Sequence, residues 1–176
     1  MRKILFLLLP LILFSDEIDK YRLLSKVRDA IEEEGWFYKK EENKTILHMR
    51  IKSREGTWKT VAWTREDENQ FVFYSEVVDT FPNEKKCEIL EYLAMVNNRL
   101  ILGNFDVDFK SNKIRYKTSV DVTGGFLTKK MIKLLMEINL AMVDKYVPGL
   151  RMVINEEVTP EEAVLKMEGF IMKFKK

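Results

Sequence analysis

From Thr45 to Lys52 the chain alternates apolar and polar side chains, and this run with the two strand-like runs that follow it to Val78 is the strongest constraint on the fold. Leu47, Met49 and Ile51 share one parity, while His48, Arg50 and Lys52 share the other. Only an extended strand puts two such sets on opposite faces. Trp36 to Lys40 precedes this run, separated from it by a polar turn at Glu42 to Lys44. Glu55-Gly56 turns the chain into Thr57 to Arg65, rich in Trp, Val and Thr, whose period slips between Trp58 and Val61, so a bulge is expected there. Asp67 to Asn69 leads into Gln70 to Val78, where Phe71, Val72, Phe73 and Tyr74 are apolar on both faces. Turns this short join antiparallel neighbours, so the segment reads as a meander.

Helical periodicity frames the meander. In Asp16 to Glu34, Ile18, Tyr21, Leu24, Val27 and Ile31 recur at three- and four-residue steps, and Gly35 supplies a stop. Asp16, Glu17 and Asp19 favour the positive end of that helix; Glu32 to Glu34 oppose the dipole at the other end. Pro82-Asn83 opens a second helix to about Leu100, with Cys87, Leu90, Leu93, Ala94 and Asn97 read as its apolar side. Two strands follow: Phe105, Val107 and Phe109 face in, and after a turn at Ser111-Asn112 so do Ile114, Tyr116, Thr118 and Val120. Thr128 caps a third helix with Leu127 and Ile132 as its hydrophobic staple, and Pro148-Gly149 is expected to interrupt it near Tyr146. Thr159-Pro160-Glu161-Glu162 starts a last helix with Ala163, Met167, Phe170 and Phe174 on its apolar side. The expected fold is one α+β domain, an antiparallel sheet with packed helices, in the order α-β-β-β(-β)-α-β-β-α(-α).

Residues 1–15 stand apart. Arg2 and Lys3 precede an apolar run from Ile4 to Phe14, broken only by Pro10, and Ser15 follows before Asp16 and Glu17. This order reads as a secretory signal peptide cut near Ser15, leaving residues 16–176 as the mature domain. The apolar run is too short to span a bilayer as a helix, so no stable membrane span is expected after its removal. An uncleaved anchor or a buried N-terminal strand is the alternative. The expected location is outside the cytoplasm, the periplasm in a bacterium; an uncut signal would leave the chain cytoplasmic or membrane-anchored.

The whole chain carries 30 Lys+Arg and 28 Asp+Glu. Removing the leader takes away Arg2 and Lys3 and balances the charge. Nucleic-acid binders need a basic stripe for their phosphate contacts, whereas acids interleave with bases here, so no nucleic-acid partner is expected. One Cys and one His exclude an internal disulfide and a soft-ligand zinc site. His48, the only imidazole, sits beside Arg50 on a polar strand face and reads as solvated surface. Cys87 reads as buried on its helix. Asp106, Asp108 and Asp121 would be a hard-cation set if their strands brought them together, but Arg115 and Lys117 share that face and favour cross-strand ion pairs. Gly124-Gly125 lacks the context of a phosphate loop and reads as a turn. Met131, Met136, Met142 and Met152 read as core filling, with an adaptable binding surface as the alternative. Asn97, on a mostly apolar helix face, must find hydrogen bonds if buried and is expected to tie helix to sheet. No catalytic residue and no cofactor is expected.

Several short stretches follow one another in order: Glu34-Gly35-Trp36-Phe37-Tyr38, Phe71-Val72-Phe73-Tyr74-Ser75, Asn83-Glu84-Lys85-Lys86, Leu93-Ala94-Met95-Val96-Asn97-Asn98, Leu102-Gly103-Asn104-Phe105-Asp106-Val107-Asp108, Gly125-Phe126-Leu127-Thr128 and Pro160-Glu161-Glu162-Ala163. In that order they resemble the YbjN family of bacterial sensory transduction regulators, similar in fold to the type III secretion chaperones. The resemblance implies a sheet with helices packed on it, no known catalysis, no cofactor and frequent self-association. Dimers among the chaperone relatives bind non-globular segments of other proteins. An export leader departs from the cytoplasmic setting of those chaperones.

The leading expectation is a non-enzymatic, exported protein-binding module, chaperone-like or regulatory. An envelope sensor with a small ligand between sheet and helices is the alternative, and an enzyme working with carboxylates alone comes third. Val72 and Tyr74 point opposite to Phe71 and Phe73, so one pair faces away from the helices that cover the other. Trp58, Trp63, Val72 and Tyr74 are therefore the candidate protein-binding or homodimer surface, with the second helix as the other candidate for self-association. A first or last helix laid over this second face is the alternative.

Overall fold

The computed structural model describes residues 22–169. The leader, residues 16–21 of the first expected helix, and Phe170 and Phe174 of the last lie outside the described residues. The elements run α1 (Arg22–Glu33), β1 (Tyr38–Lys40), β2 (Ile46–Lys52), β3 (Thr57–Arg65), β4 (Gln70–Val78), a 3₁₀ turn (Asn83–Lys85), α2 (Lys86–Asn97), β5 (Asn104–Asp108), β6 (Lys113–Asp121), α3 (Lys129–Ile154) and α4 (Pro160–Met167). This is the expected order with both optional elements present. The strands form one antiparallel sheet in the order β1-β2-β3-β4-β6-β5.

Turn chemistry makes the hairpins. Asn43, Asn69 and Asn112 take positive φ in the β1–β2, β3–β4 and β5–β6 turns, a conformation that asparagine tolerates better than most side chains. At the end of α1, Gly35 has φ +70° and the Trp36 N–H returns to the Ile31 carbonyl at 3.2 Å, a glycine-closed helix end. The opposed acids there meet cations from α3: Lys133 lies 3.2 Å from Glu33 and 2.9 Å from Glu34. The start of α1 is closed by a residue from the β3–β4 turn, as the Glu66 carboxylate accepts from the Leu23 and Leu24 N–H groups at 2.9 and 2.8 Å. Thr128 caps α3 by accepting from the Met131 N–H, and Thr159 and Glu162 form a capping box on α4, both as expected.

All four helices lie against one face of the sheet. Leu47, Met49, Ile51, Ala62, Phe71 and Phe73 pack with α1 and the first half of α3. Trp58, Val77, Phe105, Ile114 and Tyr116 pack with α2, α4 and the second half of α3. The long helix α3 thus crosses the sheet and serves both halves of the core. At the crossing sits Asn139, fully buried. Its amide donates to the carbonyls of Phe73 on β4 (3.2 Å) and Tyr116 on β6 (3.1 Å), and accepts from the Ser75 hydroxyl at 2.6 Å. Thr118 of β6 donates to the Leu135 carbonyl one turn earlier. Those bonds join the two strands that bring the N- and C-terminal halves of the chain together.

Two expectations about helices are corrected. Pro148 does not interrupt α3, which continues through it to Ile154. The carbonyl that a proline leaves unpaired one turn back belongs to Asp144; the Arg54 guanidinium donates to it at 3.1 Å. Gly149 follows because α2 and α4 come close, and an added Cβ would lie 2.5 Å from the Tyr92 hydroxyl and 2.7 Å from Met167. On α2 the buried side is Ile89, Tyr92, Leu93 and Val96, while Cys87 and Ala94 are exposed. Cys87 therefore faces outward, not into the core. This helix is apolar on more than one side, so periodicity alone could not orient it. Phe109 is also exposed, since β5 ends at Asp108.

Asn97 behaves as expected. It donates to the Phe105 carbonyl at 3.0 Å and accepts from the Phe105 N–H at 2.8 Å. Phe105 lies on the edge strand β5, so this amide occupies the outward-facing backbone pair that another strand would use. Replacing Asn139 by Leu strands a buried hydroxyl and two carbonyl interactions, a loss of roughly 1–3 kcal/mol. Asn97→Leu, at a half-buried site, costs less, about 1 kcal/mol. Urea unfolding of the two variants ranks them in that order; an unchanged midpoint for Asn139→Leu would contradict the network.

Candidate functional site

The sheet face away from the helices is uncovered among the described residues. Strand register builds its centre. Ile46 pairs with Trp63, and Trp63 with Val72; one row over, Val61 pairs with Tyr74. These five form an apolar belt across β2, β3 and β4. Val72 is nearly covered by its neighbours, whereas Ile46, Val61, Trp63 and Tyr74 are partly exposed. Two shallow concavities flank the Val61–Tyr74 pair. One, of about 290 Å³, includes Trp63, Arg65, Val72, Tyr74 and Lys117. The other, of about 600 Å³, includes Phe37, Lys39, His48, Arg50, Lys59 and Val61. Phe37, beside β1, is 93% exposed.

Cations ring the belt and lie over its rings. The Arg65 guanidinium is 5.4 Å from the Trp63 ring centre, and Arg115 is 4.9 Å from that of Tyr74. Burial raises the Tyr74 phenol above its ordinary range, with Arg115 acting against the shift, so it stays a neutral donor at physiological pH. Asp106 is held by Arg115 at 3.0 Å, directly across the β5–β6 pair. Asp108 instead accepts from the Lys110 N–H and the Ser111 hydroxyl in the β5–β6 turn. Asp121 binds Gln70 and the Thr123 N–H. The three carboxylates suggested as a cation set are thus separated, each with its own partner. Among the described residues no group of three His, Cys, Asp or Glu side chains is placed to hold a metal. His48 is on the open face, 3.3 Å from Glu41.

Of the four candidate surface residues, Trp63, Val72 and Tyr74 share this face. Trp58 does not. It is 5% exposed and lies in the core with Thr60, Ala62 and Thr64 on the same side of β3. The expected bulge in β3 is absent: its pairing with β2 and β4 is continuous, and the register shift falls between Glu76 and Val78 of β4. Two buried threonines on the core face had disguised a regular alternation as a slip.

Trp58 belongs to a latch that the sequence did not reveal. Its indole N–H donates to the Ser53 hydroxyl at 2.6 Å, and Ser53 donates to Asp144 of α3 at 2.6 Å. The Arg54 and Glu55 N–H groups also donate to Asp144, at 3.0 and 3.2 Å. One carboxylate therefore holds the β2–β3 turn against the helix. No local signal marked it, because the partners are about ninety residues apart. Asn139 did leave a signal, a lone polar residue within the apolar series Ile132, Leu135, Met136, Val143 and Tyr146.

Residues 24–152 match YbjN, described as "Putative bacterial sensory transduction regulator". The chain belongs to the YbjN family. Comparison with curated protein sequences gives no significant match. Among solved structures, YbjN from E. coli, described as "a putative transcription regulator", is similar at TM-score 0.55 and 15% identity, over 76% of this chain and 89% of that one. A chain of the ExsC-ExsE complex is similar at TM-score 0.58 and 11% identity, over 74% and 95%. A chain of the HopA1-SchA chaperone-effector complex is similar at TM-score 0.51 and 12% identity, over 76% and 96%. The fold expected of this YbjN-family chain, an antiparallel sheet with packed helices like that of type III secretion chaperones, is the fold it has. Among its described residues no helix is long and apolar enough to cross a membrane.

The Asp144 latch gives a pH signature. Burial works against its charge, but the Ser53 hydroxyl and the Glu55 and Arg54 N–H groups hold its pKa below the ordinary aspartate range. A depressed folded-state pKa contributes stability above the unfolded value, about 3.9, and loses it as pH falls through the folded value. The stability difference between wild type and Asp144→Asn is therefore full near pH 6 and shrinks from about pH 4 downward. Urea melts across that range test it; a constant difference would contradict the assignment.

Proposed function

We propose that this YbjN-family chain is an exported, non-catalytic protein-binding module whose open sheet face takes a polypeptide partner. One observation carries the reading: every described helix lies on one face of the sheet, and the other face presents Trp63, Val72, Tyr74, Val61 and Ile46 with no described residue over them. Contiguous apolar surface of this kind marks interaction sites. Likeness to chains from the ExsC-ExsE and HopA1-SchA complexes agrees with it at the level of fold. Export rests on the basic, apolar, small-residue order of residues 1–15.

Self-association is assigned to α2. Cys87, Leu90 and Ala94 make an outward stripe on this helix, with Cys87 and Ala94 exposed and Leu90 partly so. Just past its end Ile101 is 96% exposed. A two-fold axis would set this stripe against its own copy and leave both sheet faces open.

Three measurements test the proposal. Affinity capture from an envelope extract retains polypeptides on the wild-type chain that Trp63→Glu and Tyr74→Glu release; equal retention by folded variants would move the site elsewhere. Sedimentation at micromolar concentration shows a dimer, and mild oxidation traps it through Cys87; a monomer that does not cross-link would contradict the α2 interface. N-terminal sequencing of the chain expressed in a bacterium finds a start near Asp16, and intact Met1 on the cytosolic protein would contradict export.

A further inference from the structure

We infer that the partner of the open sheet face is an extended polypeptide segment of about six residues, apolar at its centre and acidic at both ends. The inference rests on the protein-binding reading above and adds the chemistry of what is bound.

One row of side chains crosses five strands. Lys39 on β1 pairs with His48 on β2, His48 with Val61 on β3, Val61 with Tyr74 on β4, and Tyr74 with Lys117 on β6. A lysine therefore stands at each end of the row, and an apolar pair stands between them. The adjacent row, Ile46-Trp63-Val72, widens that centre. At a strand spacing of about 4.8 Å the two lysine backbones are roughly 19 Å apart, the length of about six extended residues.

The charges define the complement. Acids near the belt are already engaged: Asp106 by Arg115 at 3.0 Å, Asp121 by Gln70 at 3.0 Å, and Glu76 nearest Lys113 at 3.9 Å. The side-chain ammonium groups of Lys39 and Lys117 form no hydrogen bond or ion pair among the described residues. The face thus lacks two negative charges at a fixed separation on either side of an apolar strip. A second copy cannot supply them, because it brings the same lysines. Nucleic acid fits less well, because it carries a phosphate at every step, whereas the centre of this row is the apolar pair Val61–Tyr74. A polypeptide places apolar side chains between two carboxylates and meets both requirements.

The test uses two rhodamine-labelled peptides, Asp-Asp-Val-Phe-Leu-Val-Asp-Asp and Lys-Lys-Val-Phe-Leu-Val-Lys-Lys, with residues 16–176 at low ionic strength. Fluorescence polarisation shows the acidic peptide binding about tenfold more tightly, a preference that added salt reduces. Lys39→Glu/Lys117→Glu reverses the preference, and Lys117→Gln alone weakens acidic-peptide binding without reversing it; thermal melts establish that both variants fold. Equal affinity for the two peptides overturns this inference and leaves the protein-binding reading standing. Binding of neither overturns both. A single-stranded oligonucleotide that displaces the acidic peptide and binds more tightly also overturns it, assigning the face to nucleic acid.

Discussion

The Asn139 amide, buried where α3 crosses the two central strands, fixes the rest of the molecule. Strands β4 and β6 are adjacent in the sheet but come from opposite halves of the chain, so their pairing closes a long loop and is costly in entropy. A single side chain on α3 bonds to a carbonyl on each strand and to the Ser75 hydroxyl. Because a buried amide without partners costs more than a satisfied one gains, the network penalises any other register of helix on sheet. With α3 held across the centre, α1 fills one side of it and α2 and α4 fill the other.

Among the described residues this arrangement leaves a sheet with one face packed under helices and the other uncovered. Exposed strands invite pairing with other chains, and the molecule manages both edges. At β5 the Asn97 amide takes the backbone pair of Phe105. The opposite edge, β1, is three residues long and carries Lys39 and Lys40. Addition of a strand is therefore discouraged at the edges, and the aromatic and aliphatic side chains of the second face are the apolar surface left uncovered among the described residues. Guanidinium groups over Trp63 and Tyr74 hold these rings in place while keeping the face hydrated.

Much of this was legible in the sequence, for identifiable reasons. Side chains alternating along β2 and β6, asparagine at three tight turns, and capping residues at Thr128 and Thr159 are local signals, and each gave the right element. What misled was also local. Thr60 and Thr64 are polar residues on a buried face, and they made a regular strand look broken, which placed Trp58 on the wrong side. Cys87, Leu90 and Ala94 are apolar residues turned away from the core, and they rotate the expected face of α2 by about a third of a turn from the buried one. Pro148 looked like a stop because the donor that rescues the Asp144 carbonyl, Arg54, is remote in sequence. The Asp144 latch and the Glu66 cap could not be read at all, since each joins segments that only the folded sheet brings together. Val72 and Tyr74 could be placed away from the helices because β4 is apolar on both faces and must turn one set outward; Trp63 of β3 shares that face through its pairing with Val72.

The central claim is that this second face is open in the free chain. Hydroxyl-radical footprinting of dilute protein, read by mass spectrometry, measures it directly. Oxidation at Trp63 and Tyr74 should be strong, while Trp58, Tyr92 and Tyr116 in the core stay protected. Protection of Trp63 and Tyr74 to the level of Trp58 would show that the face is covered within the chain, and would contradict the account.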